Sequence, residues 1–435
     1  MAIEHLHTVP HLTVAPGGPV LAMEQQFLAK QIEIEAWFRE QWRHVSPPFY
    51  SSVDLRNAGF KLAPVDTNLF PAGFNNLNPA FMPLCVQAVQ TAIEKYCPSA
   101  CRVLIVPENH SRNKFYFESL GTLQNIILTA GYDVRIGTFR EDVTEPIEVE
   151  YGAGKKLRLE PLIKEKDQLI VENFNPCLII CNNDLSSGIP EILNDVKQPI
   201  LPPLTLSWTH RTKTSHFSQY TEIAQKFAEL IDLDPWVITP LHRNCGTVNF
   251  KTGEGQDCLT KNADALFKAI REKYQQFAIK EEPFVVVKAD SGTYGMGVMS
   301  IQSPEELIKL NRKQRTRMST SKDGIAISKV ILQEGVYTFE NWGDDHAVAE
   351  PVVYLIDHYV VGGFYRVHKN RSATENLNAP GMHFEPLAFA ESCNTPDPER
   401  SVSAAPNQFY AYGVIARLAT LAAAHEQFAL DRNQV

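Results

Sequence analysis

No stretch of the sequence approaches the roughly 20 apolar residues that a membrane-spanning helix needs. The best candidate, VIARLATLAAA (414–424), is short and interrupted by Arg417; it reads as a buried carboxyl-terminal helix. A basic excess is also lacking. The chain carries 41 Lys and Arg against 50 Asp and Glu, a net charge of −9. That excludes a protein built around nucleic-acid affinity, which requires clustered cations to displace counterions. The one basic run, NRKQRTRMSTSK (311–322), reads as a solvated loop. The first residues, MAIEHLHTVPHLTVAPGGPV, lack the basic segment and apolar core of a secretion signal. A cytoplasmic protein with reduced thiols is therefore expected. Eight cysteines include no Cys-x-x-Cys pair, which argues against zinc. Cys177 and Cys181 read as small side chains on one face of an apolar strand.

What is present is ordinary globular composition, 44% hydrophobic and 21% charged over 435 residues, a length natural for two or three domains. Residues 21–45 place Leu21, Phe27, Leu28, Ile32, Trp37 and Phe38 at helical spacing. From 79 to 138 the pattern runs helix, strand, helix, strand, a βαβ unit and hence a parallel sheet. YGAGKKLRLEP (151–161) predicts a hairpin, and PCLIICNND (176–184) a further buried strand ending in polar residues. After a Pro-, Ser- and Thr-rich transition near 185–215 come helices over 216–232 and 257–280. A strand over SKVILQEGV (328–336), a β-rich segment (347–368) and a last helix (408–428) complete the chain. The expected division is an amino-terminal α/β substrate-side domain, 1–205, and a second region, 206–435. The latter splits into a lid subdomain near 257–335 and a metal and phosphate subdomain near 336–435.

The most informative stretch is FVVVKADSGTYGMGVMSI (284–301): β-formers ending at Lys288, a loop with Gly292, Gly295 and Gly297, then β-formers again. Glycines let backbone N–H groups approach anionic oxygens, and a lysine on a strand is a fixed positive charge; together they fit nucleotide phosphates. A P-loop places its lysine after the glycines, a dinucleotide fold wants GxGxxG leading into a helix, and a protein kinase puts the glycine loop before the lysine strand. The observed order is that of an ATP-grasp enzyme, so the predicted fold is α/β, ATP-grasp, with an amino-terminal parallel-sheet domain. Lys288 would hold the α/β-phosphates, and the backbone of Ser291, Gly292, Thr293, Gly295 and Gly297 would cover the β/γ-phosphates. Gln333, Glu334, Gly335 and Val336 would meet adenine and ribose, with Glu334 accepting the ribose hydroxyls. Arg366 would stabilise charge on the transferred group. Glu350, Glu375, Asn376 and Asn378 are the candidate Mg²⁺ ligands, with Asp357 a further candidate, since Mg²⁺ takes hard oxygens.

KADSGTYGMGVM, LQEGV and GGFYRVH…ENLNAPG, with CNNDLSSGIP and ENHSRNKFYFESL upstream, resemble the bacterial ATP-grasp-type glutamate–cysteine ligases over about residues 20–430. The resemblance implies ATP- and Mg²⁺-dependent joining of glutamate to cysteine through an acyl phosphate, the first step of glutathione synthesis. In one departure, neither TENLN (374–378) nor AESCN (390–394) has the Glu-x-Asn spacing that many ATP-grasp enzymes use for metal. Substrate candidates follow from position. His110, Ser111, Arg112 and Asn113 lie after a parallel strand at a helix start, which favours a carboxylate. Asn182, Asn183 and Asp184, and Asn68, Asn75 and Asn76, end other segments. WTHRTKTSHF offers Arg211, Lys213 and His216. Two other readings stay open: another ATP-grasp carboxylate–amine ligase, of glutathione synthetase or amino-acid ligase type, and a non-catalytic nucleotide-binding protein. Partners are expected to be glutamate, cysteine and ATP, with no nucleic acid and no membrane; a homo-oligomer is left open.

Overall fold

The computed structural model describes residues 12–13, 18–110, 113–152, 154–292, 297–319, 326–387 and 408–432. After β1 (Leu12–Thr13) the predicted first helix is two, α1 (Pro19–Ala29) and α2 (Gln31–His44), broken at Lys30 where φ −112° and ψ 25° leave the helical region. Phe27, Ile34 and Phe38 are buried, whereas Ile32, expected on the apolar face, is exposed. β2 (Tyr50–Asn57) and β3 (Leu62–Asn68) form an antiparallel hairpin whose turn uses Gly59 at φ +73°, a conformation glycine adopts without a Cβ penalty.

The βαβ reading holds in α3 (Met82–Tyr96), β4 (Arg102–Pro107), α4 (Lys114–Thr129) and β5 (Asp133–Thr138). The expected hairpin is β6 (Ile147–Tyr151) with β7 (Lys155–Pro161). A small ribbon, β8 (Ile163–Glu165) with β9 (Gln168–Ile170), precedes β10 (Leu178–Asn182) and β11 (Ile200–Leu201). Six of these strands make a sheet of order β11-β10-β4-β5-β7-β6, parallel except for β6 against β7. Cys177 precedes β10 and lies 3.8 Å, sulfur to sulfur, from Cys101, while Cys181 is buried within the strand. Of the two, only Cys181 therefore lies within the expected strand.

α5 (Lys213–Ile231), β12 (His242–Cys245), α6 (Gln256–Gln276), β13 (Val285–Ala289), β14 (Val298–Ile301), α7 (Arg312–Arg317) and β15 (Val330–Glu334) follow. Strands β12-β15-β13-β14 pair antiparallel in that order. α7 replaces part of the expected basic loop: Asn311 and Gln314 cap it reciprocally at 2.9 Å each. The chain ends in β16 (Glu340–Trp342), β17 (Ala347–Ile356), β18 (Tyr359–His368), β19 (His383–Pro386) and α8 (Gln408–Arg432).

A mixed α/β fold with several sheets results. Its seven-stranded sheet joins β1, β16, β17, β18 and β19 to β2 and β3, with β2 pairing directly with β17. An amino-terminal hairpin thus completes a carboxyl-terminal sheet, and the expected boundary at 205 is crossed by strand pairing that no local pattern displays. α8 is buried from Tyr410 to Ala424 and packs on α5, β2, β3 and β17. Among the described residues no helix is long and apolar enough to cross a membrane.

Candidate active site

Alternation along β13 sets the site. Val285, Val287 and Ala289 are buried in the core, so by the two-residue period of a strand Val286 and Lys288 face the other way. They look across to the charged ends of β2, β3, β17 and β18. The cavity there, about 90 Å³, is lined among others by Asp54, Arg56, Asp66, Lys213, Lys288, Gln333, Glu350 and Arg366, with Thr374, Glu375, Asn376 and Asn378 from the loop after β18. Larger grooves exist, one of about 660 Å³ beside α4, but none gathers as many titratable groups, the usual mark of a working site.

Register explains the charge arrangement. Glu350 and Arg366 are cross-strand partners on β17 and β18, and Asp54 and Asp66 are cross-strand partners on β2 and β3. The Arg366 guanidinium bridges Asp54 Oδ2 at 2.9 Å and Glu350 Oε1 at 2.6 Å. Arg56 Nε donates to Glu350 Oε2 at 2.8 Å, and its other nitrogens hold the carbonyls of Val336, Ala373 and Glu375. Lys213 Nζ lies 2.6 Å from Asp66 Oδ1. Among the described residues Lys288 Nζ donates only to neutral oxygens, Val65 O and Gln333 Oε1, each at 2.6 Å.

Burial lowers the Lys288 pKa to about 8, with Asp66 opposing and Lys213 and Arg56 adding to the fall. Burial raises Asp54 more than Arg366 lowers it. For Asp66 burial also acts upward, but the ammoniums of Lys213 and Lys288 outweigh it and hold the carboxyl below its ordinary value. Two donors that line the cavity, Gln333 Nε2 and Arg366 Nε, are buried and lack a partner among the described residues. Unmade hydrogen bonds of this kind are costly and point to a ligand that accepts them.

The cavity brings together Lys288, Gln333, Glu334, Val336, Lys213, Glu350, Arg366, Glu375, Asn376 and Asn378. Several keep other company than expected. The Glu334 carboxylate is fully buried, taken by Lys61 Nζ (2.7 Å), Trp236 Nε1 (3.1 Å) and the Leu241 amide (2.8 Å). On β15 Gln333, not Glu334, shares the Lys288 face. The Gly335 N–H is given to Phe284 O at 2.8 Å, so it is not available to adenine. Gly292 fits because a Cβ would stand 2.2 Å from Trp208 Nε1, and Gly297 takes φ +61°. Ser291 is exposed beside them.

The expected substrate residues do not join the cavity, Lys213 apart. Asn182 is buried and bonded to Tyr50, Pro71 and Tyr116, and Asn183 to Pro107 and Leu185. Asn113 caps α4, and the His110 ring packs edge-on against Tyr116. Arg211 is buried with Glu426 (2.8 Å) and the Thr67 carbonyl (2.8 Å), and His216 joins both Glu426 and the Thr67 hydroxyl. These groups tie α5, α8 and β3 together. Asp357 is likewise paired, with Lys95 and His358 at the β17–β18 turn. Asn68 turns on Phe70, and Asn75 lines the groove beside α4. Ser111, Arg112, Thr293, Gly295 and 390–394 lie outside the described residues.

Asp54, Arg56 and Asp66 were not singled out by the sequence. Their signal is charge at alternate positions of apolar strands, in SVDLRN and PVDTN. Among the described residues no group of three or more His, Cys, Asp or Glu is set to hold a metal. The cavity's hard oxygens still suit Mg²⁺, which is commonly held by one or two carboxylates and completes its shell with phosphate oxygens and water.

A model of the family described as glutamate-cysteine ligase matches residues 24–427. Among solved structures, a protein described as a gamma-glutamylcysteine synthetase, from Methylobacillus flagellatus, is 54% identical with a TM-score of 0.89, covering 97% of this chain and 99% of that one. A glutathione synthetase-like effector of Globodera pallida (10% identity, TM-score 0.36, covering 85% and 83%) and D-alanyl-alanine synthetase A of Vibrio cholerae (9%, 0.33, covering 74% and 81%) are too distant to carry an argument. Comparison with curated proteins gives no match.

Proposed function

The chain belongs to the glutamate–cysteine ligase family and joins glutamate to cysteine, and we propose that it does so in the cavity between β13 and the β2–β3/β17–β18 sheet. We read the fold as ATP-grasp, with the β13–β14 hairpin over the nucleotide phosphates. The observation that carries this reading is the convergence of Lys288, Lys213, Arg56 and Arg366 on one cavity. Four cations around one space suit a triphosphate and the acyl phosphate made from it.

A γ-carboxylate oxygen of glutamate attacks the γ-phosphorus of ATP and ADP leaves. The cysteine amine, having given up its ammonium proton, then attacks the acyl carbon and phosphate departs. Catalysis of phosphoryl transfer is chiefly positioning and charge neutralisation. Lys288 exchanges its two neutral acceptors for phosphate oxygens. Arg366, held by Asp54 and Glu350, presents its unpartnered Nε–H as fixed positive potential. Gln333 Nε2 offers a donor to the nucleotide. Arg56 fixes the 373–375 loop by its carbonyls, so the amides of Asn376 and Asn378 stay at the rim. Bound Mg²⁺ would supply charge compensation for the phosphates, with cavity carboxylates as its protein ligands. The β13–β14 hairpin would close over bound nucleotide to exclude water.

The test is ADP release by the full chain. Release is expected only with glutamate and cysteine together, with γ-glutamylcysteine in equal amount. Equal turnover with γ-glutamylcysteine plus glycine would favour the glutathione synthetase-type alternative. Nucleotide binding without turnover would favour the non-catalytic one.

A further inference from the structure

We propose that the divalent cation is held by the opposed carboxylates of Asp54 and Asp66, not by the loop after β18. The proposal rests on the reading of the cavity as a nucleotide site. Asp54 and Asp66 are direct cross-strand partners on β2 and β3, so their side chains rise from one face of the hairpin. Like charges placed directly opposite repel, and a cation between them removes the penalty. Both side chains reach the cavity, Asp54 with 23% and Asp66 with 41% of its side chain accessible.

The other carboxylates are committed. Both Glu350 oxygens are occupied by guanidiniums, at 2.6 and 2.8 Å, and the side chain is 3% accessible. Glu375 turns back on its own loop, to Arg371 and the Ser372 amide. On Asp66, by contrast, Lys213 and the Thr67 amide both use Oδ1, which leaves Oδ2 for a ligand. Asp54 gives both oxygens to the Arg366 guanidinium, Oδ2 at 2.9 Å and Oδ1 at 3.4 Å; an ionised carboxylate has about four acceptor sites, so the more loosely held Oδ1 can still take a metal. Separately, the buried Gln333 Nε2 and Arg366 Nε lack partners and line the same cavity; they mark it as the place of an acceptor-rich ligand, such as the phosphates that would complete a Mg²⁺ shell.

Asp66 is also firmly backed. The residue after it, Thr67, is held through its carbonyl by Arg211 and through its hydroxyl by His216, and Glu426 joins the two. Such outer support orients metal ligands.

Mn²⁺, read by the electron paramagnetic resonance signal of the free ion, reports the site directly. It is titrated into the full chain with saturating ADP, for wild type, Asp54→Asn, Asp66→Asn and Glu375→Gln. The expected result is a loss of Mn²⁺ affinity of about tenfold or more for each Asp variant, in line with loss of a metal ligand or its support, and less than twofold for Glu375→Gln. Metal-free nucleotide binding in EDTA should survive in Asp66→Asn, because a negative charge has been removed. If Asp54→Asn fails to fold for want of its Arg366 partner, the more accessible Asp66→Asn decides alone. Unchanged Mn²⁺ affinity in a folded Asp66→Asn that still binds ADP overturns this proposal and leaves the nucleotide reading intact. A wild type that binds no nucleotide overturns both.

Discussion

Replacing Lys288 by Met tests the phosphate site by two opposed energies. In the free protein the ammonium is a liability. Its pKa falls from 10.5 to about 8, mainly through burial, which corresponds to about 3 kcal/mol against the charged form. The folded pKa lies below the unfolded one, so this cost is present at pH 7 and disappears as pH rises from about 8 to 10.5. Met removes the cost but leaves Val65 O and Gln333 Oε1 without their donor, a loss of about 1–3 kcal/mol. The variant should therefore melt within a few degrees of wild type at pH 7, with wild type gaining on it above pH 8. With nucleotide the balance reverses. A phosphate charge about 4 Å from the ammonium, at an effective dielectric near 20, contributes about 4 kcal/mol, so Kd for ATP should rise several-hundred-fold. Calorimetric titration of wild type should show affinity falling above about pH 8 as Lys288 deprotonates, and the Met variant should be flat across that range. A folded variant with Kd within threefold of wild type refutes the reasoning.

Glu334→Gln leaves the Lys61 ammonium, which has no solvent exposure, without its counter-charge. The expected cost is about 3–5 kcal/mol of stability, seen in urea unfolding, with KM for ATP little changed; a KM effect without a stability loss would return Glu334 to the ribose. Glu340, pushed up to about 7 by burial against hydrogen bonds from Tyr412 and Asn57, favours its neutral form in the fold. Its contribution to stability is intact below about pH 4.5 and is lost as pH rises to about 7. Glu340→Gln should therefore become more stable than wild type, by up to about 3 kcal/mol above pH 7; urea midpoints at pH 5 and 8 with an unchanged gap would contradict this. Gly292→Ala drives a Cβ to 2.2 Å from Trp208 Nε1 and should cut kcat/KM by about 100-fold through displaced phosphate contacts. Wild-type kinetics would remove that loop from the site.

Local patterns were legible. The switch from helical to strand period predicted α3, β4, α4 and β5, and the lysine followed by glycines marked β13–β14. Parity and long-range pairing were not. Whether Gln333 or Glu334 faces Lys288 depends on the register of β15 on β13, where Lys288 lies opposite Ile331. That pairing is invisible in either segment alone. Asp54 and Asp66 matter because their hairpin joins β17, almost 300 residues later. Arg211 looked like a substrate group because its true counter-charge, Glu426, comes from α8. A charge in an apolar strand could have flagged the hairpin; nothing local could have paired Arg211 with Glu426.

The most direct test is a crystal structure of the full chain with a non-hydrolysable ATP analogue, Mg²⁺ and glutamate. The account predicts phosphate oxygens bonded to Lys288 Nζ and Arg366, with the β13–β14 hairpin displaced from its present position. A triphosphate bound in the groove beside α4 or between β12 and α6, with Lys288 still on Val65 O and Gln333, would contradict it.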